Sequence, residues 1–161
     1  MQSQPKKTSL VQFPPQSKAA PTSIQPPSKV GEWSLQQIQE ALKRPLPANL
    51  LSSKKRGGKR ITFIHWYTAN SILDKYAPGW AWQIISTQLS SDRLFLVGRL
   101  TIPTSEGHIY REATGTEELK RLNDDGEEVE LAYGDPSSNA ESKAFRRAAA
   151  KFGLGLYLYK D

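Results

Sequence analysis

One amphipathic helix near the end of the chain constrains the fold more than any other feature. Asp135 is a favoured N-cap residue, Pro136 suits the first helical position, and Gly153 suits the left-handed residue that ends many helices. At about 100° per residue, one face of this helix groups Glu141, Phe145, Ala148, Ala149 and Phe152. The opposite face groups Lys143, Arg146, Arg147 and Lys151. The pattern predicts a helix that packs on a sheet through one face and presents cations on the other.

The four cations of this helix have a spacing that suits successive phosphates of a nucleic acid backbone. The alternative interpretation is a solvated charge stripe, which exposed helix faces commonly carry. Charge is also distributed in blocks along the chain. Residues 1–60 hold eleven basic and two acidic residues, residues 61–142 hold six and thirteen, and residues 143–161 hold five and one. Blocks of opposite sign favour a surface that faces a polyanion.

Residues that carry catalysis or bind metals are scarce. The chain has no cysteine and only two histidines, His65 and His108, so disulfides, thiol nucleophiles and cysteine-bound zinc are excluded. No serine lies in a Gly-x-Ser-x-Gly motif, and residues 153–155 match only half of a dinucleotide fingerprint. The apolar runs are shorter than the roughly 20 residues that cross a bilayer. We expect a binding protein with no enzymatic activity, no cofactor, no bound metal and no membrane partner.

The chain divides into a tail and one domain. Residues 1–30 contain six prolines among Ser, Gln and Lys, with too few apolar groups to offset the entropy of ordering them. We therefore expect a disordered basic tail over 1–30 and a single domain over 31–161. An intracellular location is expected. The tail has no acidic residue before Glu32, which is weakly compatible with an organelle transit peptide, but it lacks arginine; organelle targeting stays open.

The first half of the domain shows three local signals. Ser34 and Gln37 form a capping box that begins a short helix with Leu35, Ile38 and Leu42 on one face. Residues 52–60 read as a basic loop with a Gly-Gly hinge. Its cations are Lys54, Lys55, Arg56, Lys59 and Arg60. A short strand at 61–64 precedes a second helix over 66–76.

The middle of the domain predicts a β-meander. Strand-like runs at 80–89, 94–103 and 108–116 are separated by short polar turns, which is typical of antiparallel neighbours. Their imperfect alternation indicates a sheet that is curved or partly buried on both faces. The fold class is therefore α+β: an antiparallel three- to four-stranded curved meander packed against the long C-terminal helix, in the order β-β-β-α.

Residues 117–133 form an acidic segment with seven acidic and two basic side chains around an Asp-Gly turn. Arg121 stands where an EF-hand loop needs its first calcium ligand, so a solvated hairpin or loop is favoured over a metal site.

The aromatic residues allow two interpretations. Trp80 and Trp82 share one strand face, which favours a core that receives the helix over a platform for bases. For Trp66 and Tyr67, which open a helix beside the basic loop, core and base-stacking roles stay equally open.

Three sequence blocks, taken in order, resemble the Rad52 superfamily of single-strand annealing proteins. The blocks are LSSKKRGGKRITFIHWYTAN at 51–70, REATGT at 111–116 and SKAFRRAAAKFGLGLYLY at 142–159. The resemblance covers about residues 33–159, and the last block is also similar to the bacterial DNA damage response protein A (DdrA) branch. Trp66 departs from the eukaryotic branch, which carries a basic residue at the start of that helix.

The resemblance implies a domain that assembles into rings, with single-stranded DNA in a groove lined by the basic helix of each subunit. It implies no cofactor and no enzymatic step. Carried over by position, the basic pair of the family's long helix falls on Arg146 and Arg147, and its Gly-rich stretch falls on Lys54 to Arg60. The acidic segment is a local departure that is expected to lie away from DNA.

We therefore expect an oligomeric protein that binds and anneals single-stranded DNA in recombinational repair. The predicted DNA-binding residues are Lys143, Arg146, Arg147, Lys151, Lys54, Lys55, Arg56, Lys59 and Arg60. Two alternatives stay open: a protein that protects DNA ends without annealing, and an RNA-binding or structural module. The apolar residues Leu35 and Leu42 and the segment 154–159 are expected to form the subunit interface.

Overall fold

The structure, a computed structural model, describes residues 24–130 and 135–160. The helices are α1 (Leu35–Leu42), α2 (Trp66–Tyr76) and α3 (Pro136–Lys151), with short 3₁₀-helices at Ala48–Leu50 and Leu156–Tyr159. The strands are β1 (Ser52–Arg56), β2 (Lys59–Phe63), β3 (Ala81–Leu89), β4 (Arg93–Thr104), β5 (Gly107–Glu118), β6 (Lys120–Leu122) and β7 (Glu128–Glu130). This is an α+β fold, as predicted.

The central sheet is the predicted meander. Strands β3, β4 and β5 are antiparallel neighbours in that order, with pairs such as Trp82 with Leu100 and Leu96 with Gly115. A register shift between Ile84 and Ser86 marks a β-bulge, which bends a strand and increases its twist. The predicted curvature therefore has a local cause in β3.

Helix α3 covers one face of this sheet, and local signals determine its ends. The Asp135 carboxylate accepts the Ser137 backbone N–H at 3.0 Å, and Gly153 has a φ of 114° just beyond the helix. Phe145 and Phe152 are buried against strand residues such as Leu100 and Ile102. The predicted apolar face is therefore the face that forms the core.

The closest approach of helix to sheet occurs at Gly115 in β5. A Cβ atom there would lie 1.9 Å from the Ala140 carbonyl oxygen, so the backbones of β5 and α3 are in direct contact. Trp82 packs against Gly98 in the same layer, and its Nε1 donates to the Glu141 carboxylate at 2.9 Å. Trp80 also packs against the core, where its ring lies 5.5 Å from that of Phe145. The favoured core interpretation of both tryptophans is confirmed.

Residues 52–60 differ from the predicted loop, because they belong to a two-stranded hairpin. β1 and β2 pair antiparallel from Ser52 with Phe63 to Arg56 with Lys59. Gly57 and Gly58 have φ values of 55° and 77°, and two consecutive positive φ values are what a two-residue hairpin turn of type I′ requires. The Gly-Gly pair therefore makes a tight turn where the sequence was interpreted as a flexible hinge.

Several residues predicted to form a subunit interface have contacts within the chain. Leu42 and Leu154 are buried in the core, and Leu158 packs against it. The Leu46 backbone N–H donates to the Tyr157 hydroxyl at 3.0 Å. These contacts arise because the turn at Gly153 folds the C-terminal segment back onto α1 and the core. Leu156 and Tyr159 of the same segment are exposed, so an interface there stays a prediction.

The acidic segment forms the predicted solvated hairpin within the described residues. β6 and β7 pair antiparallel from Lys120 with Glu130 to Leu122 with Glu128, and β7 is exposed throughout. The first 23 residues of the predicted tail lie outside the described residues, so disorder there stays a prediction. Ser28 and Lys29 form a turn in which both backbone N–H groups donate to the Glu32 carboxylate.

Candidate nucleic-acid interface

The cations of the β1–β2 hairpin lie on two opposite faces because side chains alternate along a strand. Lys54 and Arg56 lie on the face that also carries Phe63, and cross-strand pairing places Lys59 there too. Lys55 and Arg60 lie on the other face, where the Arg60 Nε donates to the Ser53 hydroxyl at 2.9 Å. The first face points toward helix α3, where the Arg146 guanidinium lies over the Phe63 ring.

Three cations of α3 bind backbone carbonyls along one strand. The Lys143 Nζ donates to the Thr116 oxygen at 2.9 Å, and the Arg147 guanidinium donates to the Thr114 oxygen at 3.1 Å. The Lys151 Nζ donates to the backbone carbonyl oxygen of Glu112. β5 is the last strand of the meander as far as the structure describes the chain. These cations therefore cap the outward carbonyls of a sheet edge.

The spacing of the capped positions follows from helix and strand geometry. Four residues of an α-helix rise about 6 Å, and two residues of a strand rise about 6.7 Å. Cations at every fourth position of α3 therefore match carbonyls at every second position of β5. A lysine has three donors and an arginine five, so donors are left over for an anion at each position.

Lys143 also pairs with an acidic residue. Its Nζ contacts the Glu117 carboxylate, and both side chains are about two-thirds buried or more. Glu117 belongs to the predicted acidic segment, which was expected to lie away from DNA. Its place in β5 opposite Leu94 brings Glu117 to the α3 cations, so this residue lies beside the candidate site, and the expectation about DNA stays a prediction.

Arg146 is positioned by the backbone around it. Its Nη1 donates to the Ile64 carbonyl at 3.1 Å and its Nε donates to the Ser142 carbonyl at 3.1 Å. The guanidinium carbon lies 5.3 Å from the centre of the Phe63 ring, within cation–π range. Burial lowers the pKa of Arg146, but a guanidinium stays protonated in proteins. Arg146 therefore joins α3 to the end of β2 as a fixed positive charge.

Between the hairpin, β5 and α3 lies an open groove of about 250 Å³. Five cations line it: Lys54, Arg56, Lys143, Arg146 and Arg147. Its lining also includes Phe63, Gly115, Leu158 and Tyr159. The groove thus combines a strongly positive lining with aromatic and backbone surface.

The electrostatics of Lys54 show how strongly these charges converge. Burial lowers the pKa of the Lys54 ammonium, and the positive charges of Arg146, Lys143 and Arg56 lower it further. Only Glu117 acts in the opposite direction among the causes. The Lys54 Nζ also lies 5.4 Å from the centre of the Phe63 ring. A bound anion would relieve this repulsion, which is the property expected of a site for a polyanion.

Comparison with known sequences shows the family of the chain. Residues 34–161 match the family described as Rad52/22 family double-strand break repair protein. The chain is 34% identical over 129 residues to the DNA repair RAD52-like protein 1, mitochondrial, of Arabidopsis thaliana, covering 79% of the chain and 68% of that protein. The chain belongs to the Rad52/22 family.

A second Arabidopsis thaliana relative is the DNA repair RAD52-like protein 2, chloroplastic. It is 37% identical over 129 residues, which cover 78% of this chain and 60% of that relative's own length. The Rad52-family resemblance predicted from three blocks is therefore confirmed, and with it a role in DNA repair and recombination. The likeness to the DdrA branch stays a prediction.

The structure of this Rad52-family chain divides the nine predicted DNA-binding residues into groups. The groove brings together Lys54, Arg56, Lys143, Arg146 and Arg147. Lys59 lies on the same face of the hairpin as Lys54 and Arg56 but is not among the residues that line the groove. Lys55 and Arg60 lie on the other face of the hairpin, and Lys151 binds the Glu112 carbonyl beyond the lining of the groove. Sequence reasoning missed Phe63 and Tyr159 as groove residues, although Phe63 follows the last basic residue of the hairpin, Arg60, by three positions.

Within residues 24–130 and 135–160 of this Rad52-family chain, no group of three or more His, Asp or Glu side chains is placed to hold a metal ion. None of the helices in this part of the chain has the length and hydropathy needed to span a membrane.

Proposed function

We propose that this chain binds single-stranded DNA along the basic groove and anneals complementary strands during recombinational repair. The observation that carries the proposal is the convergence of five cations from two separate elements, β1 and α3, on one groove. The protein would act by binding alone, without a catalytic step or a cofactor.

Contacts between the groove and phosphates would make binding independent of DNA sequence. Phosphate contacts position a strand without reading its bases, and arginine adds bidentate geometry to them. A strand held by its backbone keeps most base edges accessible to a second strand. This arrangement suits annealing, in which any complementary sequence must be accepted.

We further propose that the chain forms a head-to-tail oligomer through the β3 edge. Ile84, Ile85 and Leu89 are 45%, 40% and 72% exposed, and β3 pairs only with β4 among the described residues. Such an edge tends to pair with another chain. A contact between unlike surfaces closes into a ring when repeated around an axis. Linked grooves would then bind one strand with the avidity of several weak sites.

The proposed setting is a DNA-containing compartment inside the cell. The Arabidopsis relatives are named as mitochondrial and chloroplastic proteins, so an organelle is one such setting for this chain.

The test combines salt-dependent binding with strand annealing of labelled complementary oligonucleotides. In the variant Lys54→Ser with Arg147→Ser, binding to single-stranded DNA should weaken and annealing should slow. If each residue neutralises one phosphate, the slope of log affinity against log salt should fall by about 1.4 in total. The matched control is Lys55→Ser with Arg121→Ser, which removes the same charges away from the groove and should retain the wild-type slope.

Three outcomes would contradict the proposal. Equal affinities and slopes for the two double variants would remove the groove from DNA binding. Tight binding without annealing would favour DNA-end protection, and preferential competition by RNA at fixed salt would favour an RNA-binding module.

A further inference from the structure

A row of aromatic rings leads away from the basic groove. Phe63 lies in the groove, and its ring centre is 5.2 Å from that of His65 in an edge-to-face arrangement. His65 stacks on Tyr67 with 4.8 Å between ring centres and 8° between ring planes. Trp66 meets Tyr67 edge-on at 5.9 Å. The row therefore continues from the groove to the first turn of α2.

The first half of this row is held rigidly. Phe63 lies within cation–π range of both Lys54 and Arg146, two cations that line the groove. The His65 Nε2 is hydrogen-bonded to the Ser52 hydroxyl at 2.8 Å, across the hairpin pair that Ser52 makes with Phe63. These contacts fix the ring of His65, which in turn orients Tyr67.

The outer half of the row is open to solvent. Tyr67 and Trp66 are 53% and 50% exposed, although large aromatic side chains are usually well buried. Trp66 also lines a cavity of about 310 Å³ together with Trp80 and Asn70. Neither ring is among the residues that pack into the core. Of the two interpretations left open by the sequence, the core role is therefore excluded.

We infer that Tyr67 and Trp66 form a stacking site for bases of the strand whose phosphates lie in the groove. The inference rests on the proposed binding of single-stranded DNA and adds a contact to bases. A base placed on Tyr67 would extend the stack that His65 begins. Stacking on aromatic rings accepts every base type, so the site would keep binding sequence-independent.

A base-stacking site would also set where each subunit holds the strand. The bases taken up by Tyr67 and Trp66 would be withheld from pairing, and the bases between successive sites would stay free for the complementary strand. The site would thus divide a bound strand into held and pairing-competent positions.

The experiment uses oligothymidylate with a single 2-aminopurine, whose fluorescence falls when the base stacks. Wild-type protein should quench this fluorescence on binding. The variant Trp66→Ala with Tyr67→Ala should lose most of the quenching and roughly five- to hundredfold in affinity. Trp66→Phe with Tyr67→Phe should restore much of both. The matched control is Phe95→Ala, which removes an aromatic ring that is 41% exposed on the other face of the sheet.

An abasic oligonucleotide of the same length separates stacking from backbone binding. The double alanine variant should bind this strand as tightly as the wild type, with the same salt slope. Equal loss of affinity for abasic and normal strands, or full quenching by the double alanine variant, would overturn the inference while leaving the groove intact. Failure of the wild type to bind any single strand would overturn the proposed function with it.

Discussion

The two edge strands of the central sheet, β5 and β3, differ in how they are covered. At the β5 edge, α3 lies against the backbone at Gly115, and its cations bind the carbonyls of Glu112, Thr114 and Thr116. At the β3 edge, Ile84, Ile85 and Leu89 are exposed. An uncovered edge is a template for pairing with another chain. Lys143 and Arg147 thus both cover one edge and line the groove, and the opposite edge is uncovered among the described residues.

The largest expected effect is the loss of stability when a side chain fills the close contact between β5 and α3. In Gly115→Val, the new side chain would meet the backbone of Ala140, where even a Cβ lies at 1.9 Å. We expect the free energy of unfolding to fall by about 3 kcal/mol, the upper end of the cost of overpacking. The urea midpoint followed by circular dichroism measures this change.

The control for Gly115→Val is Thr87→Val at the opposite edge. Thr87 is exposed on β3, so its replacement should change stability by less than about 0.5 kcal/mol. Equal urea midpoints for the two variants would show that α3 does not lie as close to the backbone of Gly115 as the structure indicates.

The second prediction concerns the β3 edge. In Ile84→Lys with Leu89→Lys, charges replace two exposed apolar side chains, so assembly should be lost while the subunit stays folded. Light scattering should then give the mass of the 18.0 kDa monomer, and DNA affinity should fall because linked grooves no longer act together. The control is Phe95→Lys on the middle strand. A monomeric wild type, or a double variant that still assembles, would contradict the role given to this edge.

The third and smallest expected effect is a dependence of DNA affinity on pH through Lys54 in the groove. Burial and the neighbouring cations lower the pKa of Lys54 below its ordinary value of 10.5, so this ammonium loses its proton earlier than other lysines as pH rises. DNA phosphates would raise that pKa again, so binding should take up a proton and affinity should fall as pH rises through the lowered value. Below that range the affinity should be independent of this group.

Lys54→Arg tests this assignment, because arginine keeps its charge throughout the alkaline range. The variant should bind single-stranded DNA with a flatter pH profile than the wild type, while Lys55→Arg should leave the profile unchanged. A wild-type profile in Lys54→Arg would assign the pH dependence to another group.

The parts of the fold that were predictable depend on contacts close in sequence. Ser34 with Gln37 and Asp135 with Ser137 are caps made within three residues, so the starts of α1 and α3 could be read directly. The hairpin at 52–63 was missed because its strands are almost entirely polar and lack the apolar alternation by which strands are recognised. Its Gly-Gly turn was the available signal.

The candidate site was predictable in composition but not in arrangement. The sequence identified all five cations of the groove, since basic residues cluster in β1 and α3. The sequence could not show that Lys54 lines the groove and Lys55 does not, because which face of the strand meets α3 depends on how the hairpin packs. Nor could it place Glu117 on Lys143, a contact between residues 26 positions apart.

By itself the sequence determined the helix ends, the order of the meander, the amphipathic face of α3 and the family, because these follow from local backbone preferences and from residue order. Only the tertiary structure decided which cations line the groove, which carbonyls they cap and which sheet edge stays open. Those outcomes depend on the match between about 6 Å steps along α3 and about 6.7 Å steps along β5. That match exists only once helix and strand have packed together at Gly115.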